Sequence, residues 1–360
     1  MKGKVTVLSR SHSFEAREYE IPEVGPNDIL VRTEIAGVCG TDIHLSDGSL
    51  DFIFPEFPMI IGHETVGTIV EKGDNVLEDG VGQPLKNGDP VIVVYGYSCG
   101  KCKLCLNGNP ESCIKMNCLY LEFDPAEHPH FSGGYGEYVY VPSKYSVVKL
   151  PESLSIECAS VFACAGPTSI RAHKYAGPIA PSENVVVQGT GPVGLFNVLY
   201  GSASNPGNLI VIGALEKRLK VAKKLGATHT LNVEETTEEE RIKMVMDITG
   251  GIGADRIYEA TGNPKAVPEA MEMLRNRGKY VIIGQYSDQG TVPIKPHYIT
   301  MKALQIIGSA QFTISDMYDC FTFLDNIPEV HDTIKGLISH RFSFKDAAKA
   351  IEALGEKDAV

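Results

Sequence analysis

The sequence predicts an α/β protein of two domains: a β-rich domain early in the chain and a doubly wound parallel sheet later. Three observations lead to this prediction. Up to about residue 150, short segments alternate apolar and polar residues, as strands with one solvent-exposed face do. A glycine-rich motif, Gly189-x-Gly191-x-x-Gly194, directly follows an apolar segment. Strand-like and helix-like segments then alternate as far as about residue 300, which is typical of a parallel sheet.

Composition and charge narrow the class of protein. The chain has 360 residues, of which 43% are hydrophobic and 22% charged, which suits a globular protein with two cores. It has no run of about 18 apolar residues, and its N-terminus lacks an export signal. We therefore expect a cytoplasmic protein without a membrane partner. A formal charge of −12 argues against nucleic acid, because phosphate backbones recruit Lys and Arg. The expected partner is a small molecule.

The first predicted domain covers residues 1–155 and consists mainly of short strands. Residues 4–8, 28–33, 67–71 and 89–94 have strand character and are separated by Pro and Gly. Helical periodicity is scarcely visible in this part of the chain.

Four cysteines within the first domain have the spacing of a metal site. They follow the pattern C-x2-C-x2-C-x7-C on a glycine-containing loop, and they are Cys99, Cys102, Cys105 and Cys113. Four thiolates can close a tetrahedral shell around Zn²⁺ and leave no open position, as structural zinc sites do. The sequence therefore predicts a structural zinc lobe at about residues 95–118. An iron–sulfur cluster is the alternative.

Residues 37–44 bring several reactive side chains together. A thiol, a hydroxyl, a carboxylate and an imidazole follow one another at Cys39, Thr41, Asp42 and His44. Such a cluster also occurs by chance, since a single cysteine is more often an inert buried side chain. Asp42 has two interpretations, either orienting a metal-bound histidine or capping a helix that starts near residue 43.

Two further segments carry possible metal ligands. His63 and Glu64 lie on an apolar segment flanked by glycines, where an isolated histidine is usually a hydrogen-bonded core residue. Cys164 precedes a predicted helix over residues 168–175, and helix N-termini stabilise thiolates.

The glycine-rich motif predicts a dinucleotide-binding loop between a strand at residues 184–188 and a helix. Gly189 permits the tight turn, Gly191 lets the backbone approach a pyrophosphate, and Gly194 lets the helix pack closely on the strand. Pro192 suits the first helical turn, whose exposed amides favour an anion. The predicted binding residues in this loop are Gly189, Gly191, Pro192, Val193 and Gly194.

Further strand and helix units complete the predicted Rossmann domain over residues 156–299. Predicted strands cover residues 209–212, 255–258 and 278–283, and predicted helices cover residues 216–226 and 265–277. Residues 300–360 are predicted to return to the first domain, with helices over residues 315–324 and 344–354.

The end of the second strand bears on the choice between NAD and NADP. An NAD-binding fold normally has Asp or Glu there to hold the ribose hydroxyls, whereas Gly213 occupies this position. Without a carboxylate, a 2′-phosphate is not repelled and can pair with Lys217 or Arg218. The prediction is an NAD(P) site that slightly favours NADP, unless Glu216 takes the acidic role.

Together these residues resemble the zinc-containing medium-chain alcohol and polyol dehydrogenases. The resemblance extends over nearly the whole chain and rests on residues 37–44, residues 62–64, the four-cysteine lobe, residues 164–168 and the loop at residues 189–194, all in the family's order. It implies a GroES-like catalytic domain beside the Rossmann domain, and a homodimer or homotetramer. The family usually ends in one more short apolar strand, which this sequence lacks.

The resemblance also implies a role for each reactive side chain. Cys39, His63 and Cys164 would hold a catalytic zinc ion, and Glu64 would ligate it when water leaves. Thr41 would accept the substrate proton and His44 would pass it to solvent. Three protein ligands leave one position for an alcohol oxygen, whose alkoxide the metal stabilises. A secondary alcohol or polyol would then transfer hydride to NAD(P).

Two other functions remain compatible with the fold that is predicted. A zinc-free quinone or enoyl reductase would not need Cys39, His63 and Cys164 together. A non-catalytic nucleotide-binding protein would not need Thr41 and His44, although the fold alone does not exclude it. The polar loop at residues 46–49, with Asp51, mildly favours a polyol over a long aliphatic alcohol.

Overall fold

The structure is a computed structural model that describes residues 1–51 and 58–354. The chain forms two compact units, one made of Met1–Cys164 with the residues from Phe312 onward, the other of Ala165–Gln311. Both boundaries lie somewhat later in the chain than the predicted ones after residues 155 and 299. The residues after Leu354, where a further C-terminal strand would lie, are outside the described residues.

The N-terminal part of the first unit is mostly β-structure. Its strands are β1 (Lys2–Leu8), β2 (Phe14–Glu20), β3 (Ile29–Gly37), β4 (Glu64–Lys72), β5 (Pro90–Val94), β6 (Gly96–Tyr97), β7 (Asn117–Cys118), β8 (Tyr138–Val141) and β9 (Ser146–Lys149). Its helices are α1 (Gly40–Ser46), α2 (Lys103–Leu106), α3 (Leu119–Glu122) and α4 (Ile156–Val161). The four predicted strands correspond to parts of β1, β3, β4 and β5.

An antiparallel sheet organises this unit. It has five strands in the order β8-β3-β4-β5-β9, while β1 pairs with β2 and β6 with β7 in separate two-stranded sheets. Alternate apolar residues of the sheet, such as Val31, Ile69 and Val91, are buried in one core. This pattern follows from the period of two along a strand with one covered face. The ends of β3 and β4 meet where Gly37 pairs with Glu64.

The second unit alternates strands and helices. Its strands are β10 (Asn184–Gln188), β11 (Asn208–Gly213), β12 (His229–Asn232), β13 (Ala254–Glu259), β14 (Leu274–Ile282) and β15 (Gln305–Gly308). Its helices are α5 (Ala165–Ala176), α6 (Pro192–Ser202), α7 (Glu216–Lys224), α8 (Glu238–Ile248), α9 (Ala266–Met273) and α10 (Pro296–Met301).

All six strands form one parallel sheet in the order β12-β11-β10-β13-β14-β15. After β10 the chain builds strands on one side, and from β13 onward it builds them on the other. The topological switch point therefore lies between β10 and β13, where open parallel sheets bind ligands beyond the carboxyl ends of their strands. The doubly wound sheet predicted from the sequence is confirmed.

One prediction for the C-terminal segment needs correction. Residues 300–360 were expected to return to the first domain, but β15 pairs in parallel with β14 and is the sixth strand of the sheet. Leu304, just before it, is buried in the core of the second unit. A four-residue edge strand covered on one side has too short a pattern to be assigned to either domain from sequence.

Three helices follow β15 and belong to the first unit. They are α11 (Ile314–Asp325), α12 (His331–Lys335) and α13 (Ala347–Ala353). Ala347 of α13 is buried in the same core as the antiparallel sheet. In the part of the chain that the structure describes, no helix combines the length and apolar character needed to cross a membrane.

Candidate functional site

Helix α1 places Cys39, Thr41 and His44 at the end of β3. The helix begins at Gly40, earlier than predicted, because Asp42 accepts a hydrogen bond from the backbone N–H of Cys39 at 3.0 Å. The other carboxylate oxygen of Asp42 lies 3.8 Å from Nδ1 of His63. Asp42 is fully buried and therefore serves both predicted roles, as a helix-start acceptor and as the carboxylate that faces the histidine.

The predicted metal ligands Cys39, His63 and Glu64 lie together. Their ligand atoms are all within 4.8 Å of one another, and Cys39 Sγ is 3.3 Å from His63 Nε2. The thiol of Cys164, directly before α5, interacts with Cys39 and with Glu64. Three loops of the first unit thus bring four possible metal-binding side chains to one point.

Two glycines make room for this cluster. A Cβ at Gly37 would lie 2.1 Å from Oε2 of Glu64, so only glycine leaves space for that carboxylate across the β3–β4 ladder. Gly62 has a φ of +92°, in the left-handed region that favours glycine, and it turns the chain just before His63.

The electrostatics of the cluster favour a bound cation. A hydrogen bond with Cys164 and the nearby His63 imidazole hold the pKa of Cys39 well below its usual range despite burial. Burial and the Cys39 sulfur raise the pKa of Asp42 to about 7 and that of Glu64 well above its usual range. Burial lowers the pKa of His63, but Cys39 and the carboxylates outweigh it and raise the pKa to about 10. Acidic groups outnumber the one imidazole.

This donor set fits Zn²⁺. Thiolate sulfur, imidazole nitrogen and carboxylate oxygen are the ligands that zinc takes in proteins. Nδ1 of His63 and Oδ1 of Asp42 face each other without a hydrogen-bond partner among the described residues. That arrangement leaves Nε2 of His63 for a metal, with a carboxylate behind the ring to orient it.

Thr41 and His44 lie beside the cluster. The hydroxyl of Thr41 is hydrogen-bonded to the sulfur of Cys39. His44 follows three residues later on α1, and residues three apart are neighbours on a helix surface. Both side chains are partly exposed. The two predicted proton-relay residues therefore share one helix next to the predicted metal ligands.

The polar loop after α1 is largely committed to local contacts. Ser46 donates a hydrogen bond to the carbonyl of Ile43 at 2.8 Å, and the N–H of Ser49 donates to Asp47 at 2.8 Å. Asp51 pairs with His12, with 3.3 Å between Oδ2 and Nε2. These contacts use polar atoms on which the polyol prediction depended.

The four-cysteine lobe has the dimensions of a one-metal site. Sγ of Cys113 is 3.5 Å from that of Cys99 and 3.9 Å from that of Cys102, which is 3.5 Å from that of Cys105. Four sulfurs at about 2.3 Å from one tetrahedral zinc ion would lie roughly 3.8 Å apart. A disulfide would need about 2.05 Å. In an iron–sulfur cluster the cysteines bind different metal ions, so the mutual closeness of all four sulfurs fits a single ion better.

Backbone amides around the lobe favour thiolates. The amides of Cys105 and Ile114 lower the pKa of Cys102 to about 6, against burial. Those of Lys101 and Cys102 lower the pKa of Cys99 in the same way. Charge-assisted hydrogen bonds of this kind also orient metal-bound sulfurs.

The glycine-rich loop has the geometry predicted for it. Gly189 follows β10 with a φ of +112°, and a Cβ on Gly194 would be 2.1 Å from the carbonyl oxygen of Gly189, so α6 packs directly on the turn. A Cβ on Gly191 would meet no atom within 4 Å. The open space beside Gly191, at the start of α6, fits a pyrophosphate. Pro192 is the first residue of α6, as predicted.

Glu259 connects the loops on the other side of the switch point. This fully buried carboxylate accepts hydrogen bonds from the N–H and the hydroxyl of Thr261 at 2.7 and 2.6 Å. It also accepts from the N–H of Gly262 at 2.9 Å and of Gly284 at 3.1 Å. The loops after β13 and β14 are therefore held together by one side chain. The carbonyl of Ala260 lies against Gly189, which brings all three loops to one place.

The predicted specificity residues lie at the end of β11 and on α7. Gly213 is buried and ends β11, and Arg218 is half-buried, which lowers its pKa. The carboxylate of Glu216 is 3.9 Å from Nζ of Lys220, one turn further along α7, and both side chains are exposed. Glu216 is thus paired along the helix surface, which weakens the alternative that it replaces the missing acid.

Comparison with known proteins agrees with these sites. Residues 25–152 match the alcohol dehydrogenase GroES-like domain, and residues 192–326 match the zinc-binding dehydrogenase family. 5-exo-Hydroxycamphor dehydrogenase of Pseudomonas putida is 34% identical over 352 residues, covering 97% of this chain and 95% of the relative. The chain belongs to the zinc-containing medium-chain dehydrogenase family.

Two further members of the family are similar over their whole length. Sorbitol dehydrogenase of Bacillus subtilis is 29% identical over 359 residues, covering 97% of this chain and 92% of the relative. A crystal structure of an alcohol dehydrogenase from Thermotoga maritima has a TM-score of 0.91 at 33% identity, covering 100% of this chain and 98% of that one. The predicted family, the GroES-like and Rossmann fold class and the assignment as an alcohol or polyol dehydrogenase are confirmed.

Glu259 is the residue of this medium-chain dehydrogenase that sequence reasoning missed. An acidic residue ending a strand that is otherwise buried, followed by Ala260-Thr261-Gly262, was the available signal. The sequence does not reveal that the carboxylate faces inward with four donors around it.

Replacement of Glu259 by Gln is expected to destabilise the second unit. The amide nitrogen of Gln must face one of the N–H donors, because they surround both carboxylate oxygens. A buried donor left unsatisfied costs about 1–3 kcal/mol. Urea unfolding of E259Q measures this loss, with the exposed substitution Glu216→Gln as control, for which a change within about 0.5 kcal/mol is expected. Equal stability of E259Q and the unchanged protein would contradict the assigned contacts.

Proposed function

We propose that this enzyme is a zinc-dependent dehydrogenase that transfers hydride between a secondary alcohol or polyol and NAD(P). The observation that carries the proposal is the meeting of Cys39, His63, Glu64 and Cys164 beside the Thr41–His44 helix face. A partly exposed donor set of this kind suits a catalytic metal, because a purely structural ion is enclosed by its ligands. The names of the two curated relatives, a hydroxycamphor and a sorbitol dehydrogenase, support this substrate class.

In this proposal Cys39, His63 and Cys164 hold the catalytic zinc, and Glu64 is close enough to ligate it in turn. Bound there, zinc supplies Lewis-acid chemistry, which makes an alcohol proton easier to remove. Asp42 holds the His63 ring with Nε2 toward the metal and at the same time fixes the start of α1. The four-cysteine lobe takes a second, structural zinc, since four thiolates leave no position for a substrate.

Thr41 and His44 move the proton. A hydroxyl both accepts and donates a hydrogen bond, so Thr41 can take the alcohol proton at Oγ1 and release its own. His44 receives that proton on a ring nitrogen and returns it to solvent from the partly exposed face of α1. Hydride goes to NAD(P) and the proton to water, which balances the oxidation.

Removing the relay hydroxyl tests this assignment. Thr41→Val is expected to lower kcat by about 10²-fold or more, since positioned proton transfer contributes roughly 10²–10⁴-fold. Thr41→Ser keeps a hydroxyl and should retain most of the activity. Steady-state rates of both variants, with zinc content measured in parallel, separate loss of the relay from loss of metal. Full activity of T41V with bound zinc would show that the proton leaves by another route.

The dinucleotide is bound by the loops at the carboxyl ends of β10, β13 and β14. Gly191, Pro192 and Val193 present the start of α6 to the pyrophosphate. Position 213 offers no carboxylate to the adenosine ribose, and the positively charged Lys217 and Arg218 follow on α7. These features support binding of NAD(P) with a preference for NADP.

The proposed quaternary state is a homo-oligomer, a dimer or a tetramer. Within the described residues, β15 has β14 as its one ladder partner. Ile306 on this edge strand is 43% exposed, and Met301 just before it is 77% exposed. An exposed apolar sheet edge is a common association surface. All nine cysteines are unpaired, which supports the proposed cytoplasmic location.

Initial rates against a panel of secondary alcohols and sugar alcohols, each with NAD and NADP, test the proposed reaction. The expected result is formation of reduced nicotinamide with a secondary alcohol or polyol, and a higher kcat/KM with NADP. Reduction of quinones or enones without zinc would favour the zinc-free reductase. Dinucleotide binding without turnover of any alcohol or carbonyl would favour a non-catalytic role.

A further inference from the structure

Thr190, the second residue of the glycine-rich motif, has a fixed position inside the second unit. It is 4% exposed, and its hydroxyl donates a hydrogen bond to the carbonyl oxygen of Ala214 at 3.1 Å. A β-branched side chain has few χ1 rotamers available, and this hydrogen bond selects one of them. The Thr190 side chain therefore crosses from the loop after β10 to the end of β11.

The space that Thr190 fills is the space that a side chain at position 213 would need. A Cβ at Gly213 would lie 2.4 Å from Cγ2 of Thr190, 2.7 Å from its Oγ1 and 3.1 Å from its Cβ. Because the Cβ of Thr190 is also close, rotation about χ1 would not remove the overlap. Gly213 is part of β11, an extended segment that any residue can adopt. Space, and not backbone conformation, therefore requires glycine here.

This pairing has a chemical consequence for the dinucleotide. A carboxylate at the end of the second strand binds ribose hydroxyls and repels a 2′-phosphate. Thr190 makes such a carboxylate sterically incompatible with the loop. Nearby on α7, Glu216 is paired with Lys220, whereas Lys217 and Arg218 add positive charge. The surroundings of position 213 thus suit a phosphate better than a pair of hydroxyls.

We propose that Thr190 is a specificity-determining residue that excludes an acidic side chain from position 213 and so keeps the site open to a 2′-phosphorylated dinucleotide. The inference rests on the proposed function, because it takes the loop at residues 189–194 as the dinucleotide site. Positions 190 and 213 act as a coupled pair, and a change of cofactor requires both to change.

The steric part of the proposal can be tested without any activity. Thermal unfolding is measured for G213A, T190A and T190A/G213A. The single variant G213A should unfold at a clearly lower temperature than the unchanged protein. In the T190A background, the same Gly213→Ala change should have a much smaller effect, since the two closest atoms are gone. An equal decrease in both backgrounds would overturn the proposal.

The specificity part is tested with G213D and T190A/G213D, using NADP and NAD at saturating alcohol. T190A/G213D should favour NAD, with the ratio of kcat/KM for NADP over NAD lowered roughly 100-fold, because juxtaposed like charges cost several kcal/mol. G213D alone should lose affinity for both dinucleotides. An unchanged ratio in the double variant would overturn the proposed role. If the unchanged protein reduces neither dinucleotide, the proposed function fails, and the unfolding temperatures still decide whether Thr190 excludes a side chain at position 213.

Discussion

Replacing Cys39 with Ala is expected to abolish alcohol oxidation and to remove one of two zinc ions per chain. Cys39 contributes a low-pKa thiolate to the cluster and contacts both His63 and Cys164, so its loss leaves too few ligands for tight binding. Lewis-acid stabilisation by a metal is worth several kcal/mol, and each 1.36 kcal/mol is tenfold, so kcat should fall by at least about 10³-fold. Metal analysis and steady-state rates measure the two effects.

The fold of this variant should be nearly unchanged, because the backbone contacts of α1 do not depend on the thiol. Asp42 still accepts from the N–H of residue 39, and the four-cysteine lobe keeps its zinc. Circular dichroism and one remaining zinc ion per chain would show this. Turnover by C39A at a rate near that of the unchanged protein would rule out catalysis at this cluster.

Replacing Cys102 with Ser is expected to have the opposite pattern, a large loss of stability with the catalytic cluster intact. The sulfur of Cys102 lies within 3.9 Å of those of both Cys105 and Cys113, and its amide hydrogen bonds stabilise the thiolate. Structural zinc supplies about 10–16 kcal/mol of folding free energy to small zinc-finger peptides. The lobe, whose longest helix has four residues, should become sensitive to proteolysis without its ion.

Cys118→Ser is the matched control for this prediction. Cys118 ends β7 next to the lobe but is outside both clusters of possible ligands among the described residues. This variant should keep two zinc ions per chain and resist protease as the unchanged protein does. If C102S kept both zinc ions, or if C118S lost one, the assignment of the lobe would be wrong.

Features that depend on local patterns could be predicted from the sequence. The spacing of Cys99, Cys102, Cys105 and Cys113 fixes a tight loop, and the three glycines after β10 each answer a local requirement for space or for a positive φ. The strand and helix alternation likewise indicates the parallel sheet. The structure places the four possible ligands of the second cluster together as expected, although they are separated by more than 120 residues between Cys39 and Cys164.

Features that depend on long-range packing could not be predicted in this way. The start of α1 depends on which side chain accepts from Cys39, and Asp42 could be assigned to the helix cap or to His63 but not to both. The place of β15 in the sheet follows from its register with β14. The roles of Glu259 and Thr190 depend on neighbours distant in the sequence, so no local pattern indicates them.

Zinc removal and re-addition on the unchanged protein test the central claim most directly. The protein is dialysed against a chelator, checked for folding by circular dichroism, and assayed with an alcohol substrate before and after Zn²⁺ is restored. We predict that oxidation is lost with the zinc of the Cys39 cluster and returns as that zinc is replaced. Oxidation of the alcohol at the full rate by folded protein with no metal bound at Cys39, His63 and Cys164 would contradict the account.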